Sequence, residues 1–427
     1  MKKKLISKLL FTVVLFTANL KIAQAQFYLK QAIIANGGIF EFSTPYSDRA
    51  TVGSYNPLTN TYQVFDTIQV ESVQDVVIDT NYAYVAAQDS IVKYNLTTLQ
   101  REATAYFPAV KKLELHDNYL MVGKWYGTGD YFEVFNKSNL QSIFSISQVN
   151  QTVNGMVMLG DTMYVAYNIK GTIDLYPPFG IYADSIGKLA AIHVPSQTFV
   201  RDIILGPNAA GAGKSFVFNN AVYTLCNETN YLFKYTPSNN QIDSFNIGIE
   251  KYIQLHNNML YGEFASGIGV YNLSTNTLLS TPSLNFNFVA GAYDFVNNRF
   301  YFTNTDYSTN GILYSVNETN GNVIDSINVG ISCEAIALQH LINTGVENDF
   351  VEKLNFNIYP NPVINSLNIQ LLEDAELMVY DFNGNLILNE KINSTLYQIN
   401  TERWQSGIYI LKITTQNDVQ TFKIIKN

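Results

Sequence analysis

The residues able to do chemistry are few and widely scattered along the 427-residue chain. Histidine occurs at 116, 193, 256 and 340, with no H-E-x-x-H and no Cys/His cluster at zinc spacing, so a metal site is not expected. Cys226 and Cys333 are expected to be buried free thiols, because a chain this long can build its core without disulfide staples. A nucleophile elbow of the G-x-S-x-G type is missing, and no residue stands out as catalytic. GPNAAGAGKS (206–215) imitates a phosphate-binding loop, yet Asn208 occupies the position where that motif needs glycine. The strand-like SFVFN follows where a helix is required, so the segment reads as a connection between sheets and no cofactor is expected. Aromatic residues in three long connections remain: Phe40, Phe42 and Tyr46; Trp125 and Tyr126; and Tyr176, Phe179 and Tyr182. Flat amphipathic rings bury area at low entropy cost and suit a sugar ring or an extended peptide.

The elements that position them follow from composition and repetition. A chain that is 47% hydrophobic and 14% charged, with 29 Tyr and 26 Phe, is neither disordered nor a long coiled coil. Its formal charge of −9 disfavours a nucleic-acid backbone as partner, since phosphate affinity needs clustered Lys and Arg. Residues 1–25 combine four early lysines, an apolar run over 9–20 and Ala23-Gln24-Ala25, which reads as a secretory signal peptide cut after Ala25. The run is too short to span a bilayer core, so no transmembrane segment is expected in the mature chain. Cleavage removes five lysines and no acid, leaving the mature chain at −14.

A short strand ending in an aromatic residue and Asn, or an equivalent, recurs with a period near 40: GSYNP (53–57), VKYNL (92–96), EVFNK (133–137), AIHVP (191–195), FKYTP (233–237), GVYNL (269–273) and YSVNE (314–318). Short β-rich units at that period predict an all-β, seven-bladed β-propeller over 26–342. AIIAN (32–36) reads as a second strand and EAIAL (334–338) as an innermost one. Their pairing would complete the first blade and close the ring without a free sheet edge. The mouth of the central channel is then expected to gather Lys111, Lys112, Lys214 and Lys251 with Glu334. The long connections fall on one face, with NIKGTIDLYPPFGIYADSIGK (168–188) the longest.

On these residues the chain resembles two families. FYFTNTDYSTNGILYSVNETNGNVIDSINVG (300–330) looks like the repeat of YVTN-type, surface-layer-like propellers, and the opening blade is similar to those of secreted propellers from Bacteroidetes. After a linker at 343–354, residues 355–427 resemble the type A C-terminal sorting domain of the Bacteroidetes type IX secretion system. The likeness rests on Tyr359-Pro360-Asn361-Pro362, Asp381-Phe382-Asn383-Gly384, Ser406-Gly407-Ile408-Tyr409 and the terminal Lys423-Ile424-Ile425-Lys426. Asn383-Gly384 between alternating apolar strands is a hairpin signal, and the domain reads as a small immunoglobulin-like β-sandwich. The resemblance implies export to the periplasm, then passage to the cell surface or medium, with the secretion machinery as partner. Related propellers also give precedent for a lactonase- or lyase-like enzyme working in the channel, as the alternative to a monomeric binding module for a glycan, peptide or protein. Five D-[ST]-aliphatic triplets, such as Asp66-Thr67-Ile68, are similar to the O-glycosylation pattern of this bacterial group and equally suit a turn leading into a strand.

Overall fold

The computed structural model describes residues 26–39, 48–176, 179–265, 267–280, 282–343, 357–370, 374–381, 385–393, 396–415 and 419–427. The chain divides into two compact units, Met1–Thr344 and Gly345–Asn427. Among the described residues the first unit holds seven four-stranded antiparallel sheets. Six use strands consecutive in the chain, as in Asp75–Ile78, Tyr82–Ala87, Ser90–Asn95 and Arg101–Tyr106. The remaining sheet places Cys333–Asn343 innermost, beside Gln26–Asn36, Ala50–Asn56 and Thr61–Ile68. Its seam runs antiparallel from Gln26↔Asn343 to Asn36↔Cys333, with Ala32 opposite Leu338 and Ala35 opposite Ala335.

The aromatic-Asn repeat has a local cause. The aromatic residue is a core side chain: Tyr55, Tyr94, Phe135 and Tyr271 are all buried. The Asn that follows closes a side-chain turn. Asn56 Oδ1 accepts the Leu58 amide at 2.9 Å, Asn136 the Ser138 amide at 2.8 Å, Asn272 the Ser274 amide at 2.8 Å and Asn317 the Thr319 amide at 2.9 Å. Four positions after each Asn the backbone turns left-handed, at Asn60, Leu140, Asn276 and Gly321. For Leu140 that conformation costs about 1–2 kcal/mol, which its burial between the second and third sheets offsets.

Packing between neighbouring sheets makes the ring. Middle strands such as Ala221–Cys226 are buried along their whole length, because each sheet is covered on both faces by the next. Each of the seven junctions has its own apolar cluster, from Ile33, Val52, Val76 and Val85 at the first to Ile34, Tyr55, Tyr301 and Leu313 at the last. A closed propeller follows from that circular sequence of contacts. Its innermost strands run close: a Cβ added at Gly155 would lie 2.1 Å from the Gly213 carbonyl oxygen of the next sheet.

The blade-four insertion is not a loop. Thr162–Tyr176 and Phe179–His193 pair far beyond the sheet body, with Ile173 opposite Tyr182 and Tyr176 opposite Phe179. The β-branched and aromatic residues that looked like loop decoration instead extend a hairpin.

The second unit is a sandwich. Asn357–Tyr359, Ser366–Gln370 and Leu396–Asn400 form one sheet, and Leu386–Ile392, Ala375–Tyr380, Gly407–Thr415 and Val419–Lys426 the other. Val363, Leu367, Ile369, Leu377, Val379, Leu411, Ile413 and Ile424 fill the space between them. The Tyr-Pro-Asn-Pro segment has a positioning role: Asn361 Nδ2 donates to Lys423 O at 2.8 Å and its Oδ1 accepts the Ile425 amide at 2.8 Å. The first motif therefore holds the last strand.

Candidate functional site

Antiparallel connectivity sends two kinds of connection to one mouth of the channel: those from an outermost strand to the next innermost strand, and those from second to third strands. Trp125 and Tyr126 lie there, just after Tyr119–Lys124. The Trp125 amide donates to Ala109 O at 2.8 Å, and Thr152 Oγ1 donates to Trp125 O at 2.6 Å. Connections ahead of the third and fourth innermost strands thus clamp its backbone. The rings remain 49% and 59% exposed, and they meet nearly edge to face at 5.7 Å between centroids. Beyond them the chain turns through Gly127 and Gly129 at φ +103° and +84°, a region that favours glycine. Tyr131 Oη donates to Gly127 O at 2.9 Å, and Lys124 Nζ donates to Thr128 O.

Beside this pair, Lys111 Nζ donates to Asn154 Oδ1 at 2.6 Å and stands 5.5 Å from the Trp125 ring centroid. Asn154 is oriented in turn by its Nδ2, which donates to Ala212 O at 3.3 Å. Lys251 and Glu334, also expected at the mouth, take separate local partners. Lys251 Nζ donates to Phe288 O at 2.7 Å and lies 3.2 Å from Glu263. Glu334 is partly buried, which pushes its carboxyl above the ordinary range, tempered by a hydrogen bond from Ser332.

The contact that crosses the channel joins one of the expected lysines to a partner that sequence reasoning missed. Lys214 Nζ, from the fifth innermost strand, lies 2.7 Å from Glu114 Oε2 of the third, and 5.7 Å from the Tyr252 ring centroid of the sixth. Nearby, Lys112 Nζ is 3.6 Å from Asp75 Oδ2, which also accepts the Leu113 amide at 3.1 Å. Burial opposes the charge on Lys214, but Glu114 and Tyr252 outweigh it and raise its pKa above the usual lysine range. Burial also raises the Tyr252 hydroxyl. An ammonium held protonated beside a neutral phenol is not itself a general base near neutral pH; through this trio the third, fifth and sixth innermost strands meet.

A second missed cluster occupies the opposite ends of the innermost strands. Asp294 is fully buried and accepts from Asn297 Nδ2 at 2.6 Å and the Val296 amide at 3.1 Å, with His340 Nε2 at 3.0 Å. Burial raises that carboxyl, but His340 and Asn297 pull it below its ordinary value. Phe295 stacks on His256 at 4.4 Å and lies tilted against His340 at 4.3 Å. Burial, then the charge of His340, lowers the His256 pKa. One signal was available: KLELH (112–116) and YIQLH (252–256) end on histidine at equivalent places in the repeat.

Of the remaining expected site residues, Phe40, Phe42, Tyr46, Gly384 and Ala25 lie outside the described residues. Tyr176, Phe179 and Tyr182 are placed by backbone in the long hairpin, and their side chains lie outside the description. In the sandwich, Tyr359, Pro360 and Pro362 flank Asn361 at the surface, and Asp381 Oδ1 accepts the Asn385 amide at 2.8 Å. Gly407 opens the strand that carries buried Tyr409, whose hydroxyl donates to Gln405 O at 2.9 Å and whose ring packs 4.6 Å from Trp404.

A family model, described as the secretion system C-terminal sorting domain, matches residues 357–427. The sandwich is that sorting domain, and it points to export, to the cell surface or beyond. No curated protein matches the chain. Among solved structures, the WD40 repeats of RRP9 are similar at 13% identity and TM-score 0.47, covering 64% of this chain and 85% of that one. The extracellular domain of a one-component system from B. thetaiotaomicron is similar at 11% identity and TM-score 0.47, covering 92% and 57% respectively. BamB from Moraxella catarrhalis is similar at 10% identity and TM-score 0.43, covering 81% and 94%. The fold rests on the sheet pairing itself. Among the described residues no helix is long and apolar enough to cross a membrane.

Proposed function

We propose that this is an exported binding module rather than an enzyme. A signal peptide over 1–25 is removed after Ala25, a type IX machinery takes the chain outward by the sorting domain at 355–427, and a linker at 343–354 separates it from a monomeric, YVTN-type propeller at 26–342. The propeller presents its ligand seat around Trp125 and Tyr126. One observation carries this reading: Trp125 is half exposed on a backbone clamped by Ala109 and Thr152. A large ring in solvent is unfavourable unless something covers it, and a rigid backbone holds it ready at little entropic cost.

The test is a glycan and peptide array probed with the full chain and with Trp125→Ala and Tyr126→Ala. Loss of a buried aromatic anchor is expected to weaken the bound ligand by about thirtyfold. Undiminished binding by both variants would remove the platform from consideration.

A further inference from the structure

We infer that the sorting domain is recognised on the outer face of its four-stranded sheet, by a protein surface that is apolar at its centre and acidic at its rim; this rests on the export reading above. An antiparallel sheet with one face on a core and the other in water alternates apolar-in with polar-out. The inner half of that rule holds, since Val379, Tyr409, Leu411 and Ile424 are buried against the facing sheet. The outer half is broken on the three strands Ala375–Tyr380, Gly407–Thr415 and Val419–Lys426. Between those inward residues, Tyr380 stands opposite Ile410 and Ile408 opposite Ile425, and Ile408 and Ile425 are 36% and 38% exposed. The strip continues at the sheet edge, where Ile364, 60% exposed, follows the Val363 that bridges Lys426.

Two amines border the strip. Lys423 stands opposite Ile410, and Lys412 opposite Met378. Among the described residues neither has a carboxylate within ion-pair distance, whereas Lys137 and Lys188 of the propeller meet one at 3.2 and 3.0 Å. An uncovered apolar strip of this kind marks a protein contact, and the family match supplies the occupant, because a sorting domain works by being recognised. The chemistry of the face then describes that partner. Isoleucines on a flat sheet pack against a rigid apolar patch, and unpaired ammonium groups at the border call for carboxylates opposite them. Asn361 fixes the strand that carries Ile425, through Lys423 O and the Ile425 amide, so the face is formed before its partner arrives.

The experiment expresses the full chain in a bacterium with a type IX machinery and measures the fraction at the cell surface and in the medium against the fraction left in the periplasm. Ile408→Glu and Ile425→Glu should each lower the exported fraction about tenfold, because each sets an unpaired carboxylate inside an apolar contact. Lys412→Glu with Lys423→Glu should lower it as well, while Lys412→Arg with Lys423→Arg keeps it. Gln398→Glu, on the outer face of the other sheet, should be exported like the parent, and a thermal melt of each purified variant checks folding. Export of both isoleucine variants at the parent level, or an equal loss in Gln398→Glu, would overturn the assignment of this face. Phosphatidylglycerol vesicles that sediment the parent but not Ile408→Glu would overturn it in favour of a lipid surface. A strain whose type IX machinery is inactivated separates the two claims: a parent still exported there overturns the export reading itself, whereas a parent retained there beside normal export of the isoleucine variants removes the face alone.

Discussion

The ring is held shut by a buried amide pair, and cutting it has a calculable cost. Gln31 and Gln339 are 5% and 4% exposed. Gln31 Nε2 donates to Gln339 Oε1 at 2.8 Å and to Leu96 O at 2.9 Å, while Gln339 Nε2 donates to Thr80 O at 2.7 Å. Ser54 Oγ donates to Gln31 Oε1 at 2.5 Å. Three strands of the closing sheet and two turns of the next are tied at one point. Gln31→Leu keeps the volume and strands two buried acceptors, Gln339 Oε1 and Leu96 O. Each costs about 1–3 kcal/mol, partly offset by the added apolar burial, for a net loss of about 2–4 kcal/mol. A propeller of this length unfolds with an entropy of about 0.7 kcal/mol per kelvin, so its melting transition should fall by about 3–6 °C. Calorimetry of the full chain reads the shift. Gln31→Leu with Gln339→Leu should cost about 1 kcal/mol less than the sum of the single changes, because the pair no longer strands one of its own members. A single variant melting with the parent, or strict additivity of the two, would refute the reasoning.

Acid should weaken the fold in two stages. The folded His256 pKa lies below its ordinary value, so the unfolded chain binds that proton more readily and stability falls as pH drops through the ordinary histidine range; His256→Gln should flatten the melting temperature between about pH 7 and pH 5. The folded Asp294 pKa is also depressed, so its contribution is present above the ordinary carboxylate range and disappears on further acidification. A parent profile as flat as that of His256→Gln counts against the histidine stage. Burial pushes the Cys226 thiol up to about 12 and, with Glu334 adding, the Cys333 thiol up to about 11. Both should resist iodoacetamide at mildly alkaline pH in the native protein and react together in denaturant. Rapid native labelling of either would contradict that assignment.

The architecture was legible because the repeat is local. A core tyrosine and a turn-closing asparagine, as at Tyr94-Asn95, are neighbours in sequence, and the turn bonds reach no further than three residues. Sheet closure was equally readable, since AIIAN and EAIAL were the strands left without a partner. The blade-four hairpin was misread because a Pro-Pro pair in the sequence reads as a turn signal, and a turn signal says nothing about how far pairing continues behind it. Trp125 was visible as an aromatic in a long connection. Its clamp by Thr152 and the amine beside it were not, because they come from the third and fourth innermost strands and their approaches. The pair of Lys214 with Glu114 spans 100 residues, and no pattern in the chain connects them.

The seam between Gln26–Asn36 and Cys333–Asn343 also bears on the order of events during folding. Six sheets can form from contiguous chain, each by hairpins closing short loops. The seventh must bring together residues 308 apart, and closing a loop of that length costs about 5 kcal/mol in chain entropy beyond a constant. Until residue 343 is available the first sheet lacks its innermost strand and the ring stands open as a curved stack. Closure is then the last step of assembly and opening the first step of unfolding. Bonds along the seam, absent from the transition state for folding, govern how long the ring stays closed rather than how fast it forms.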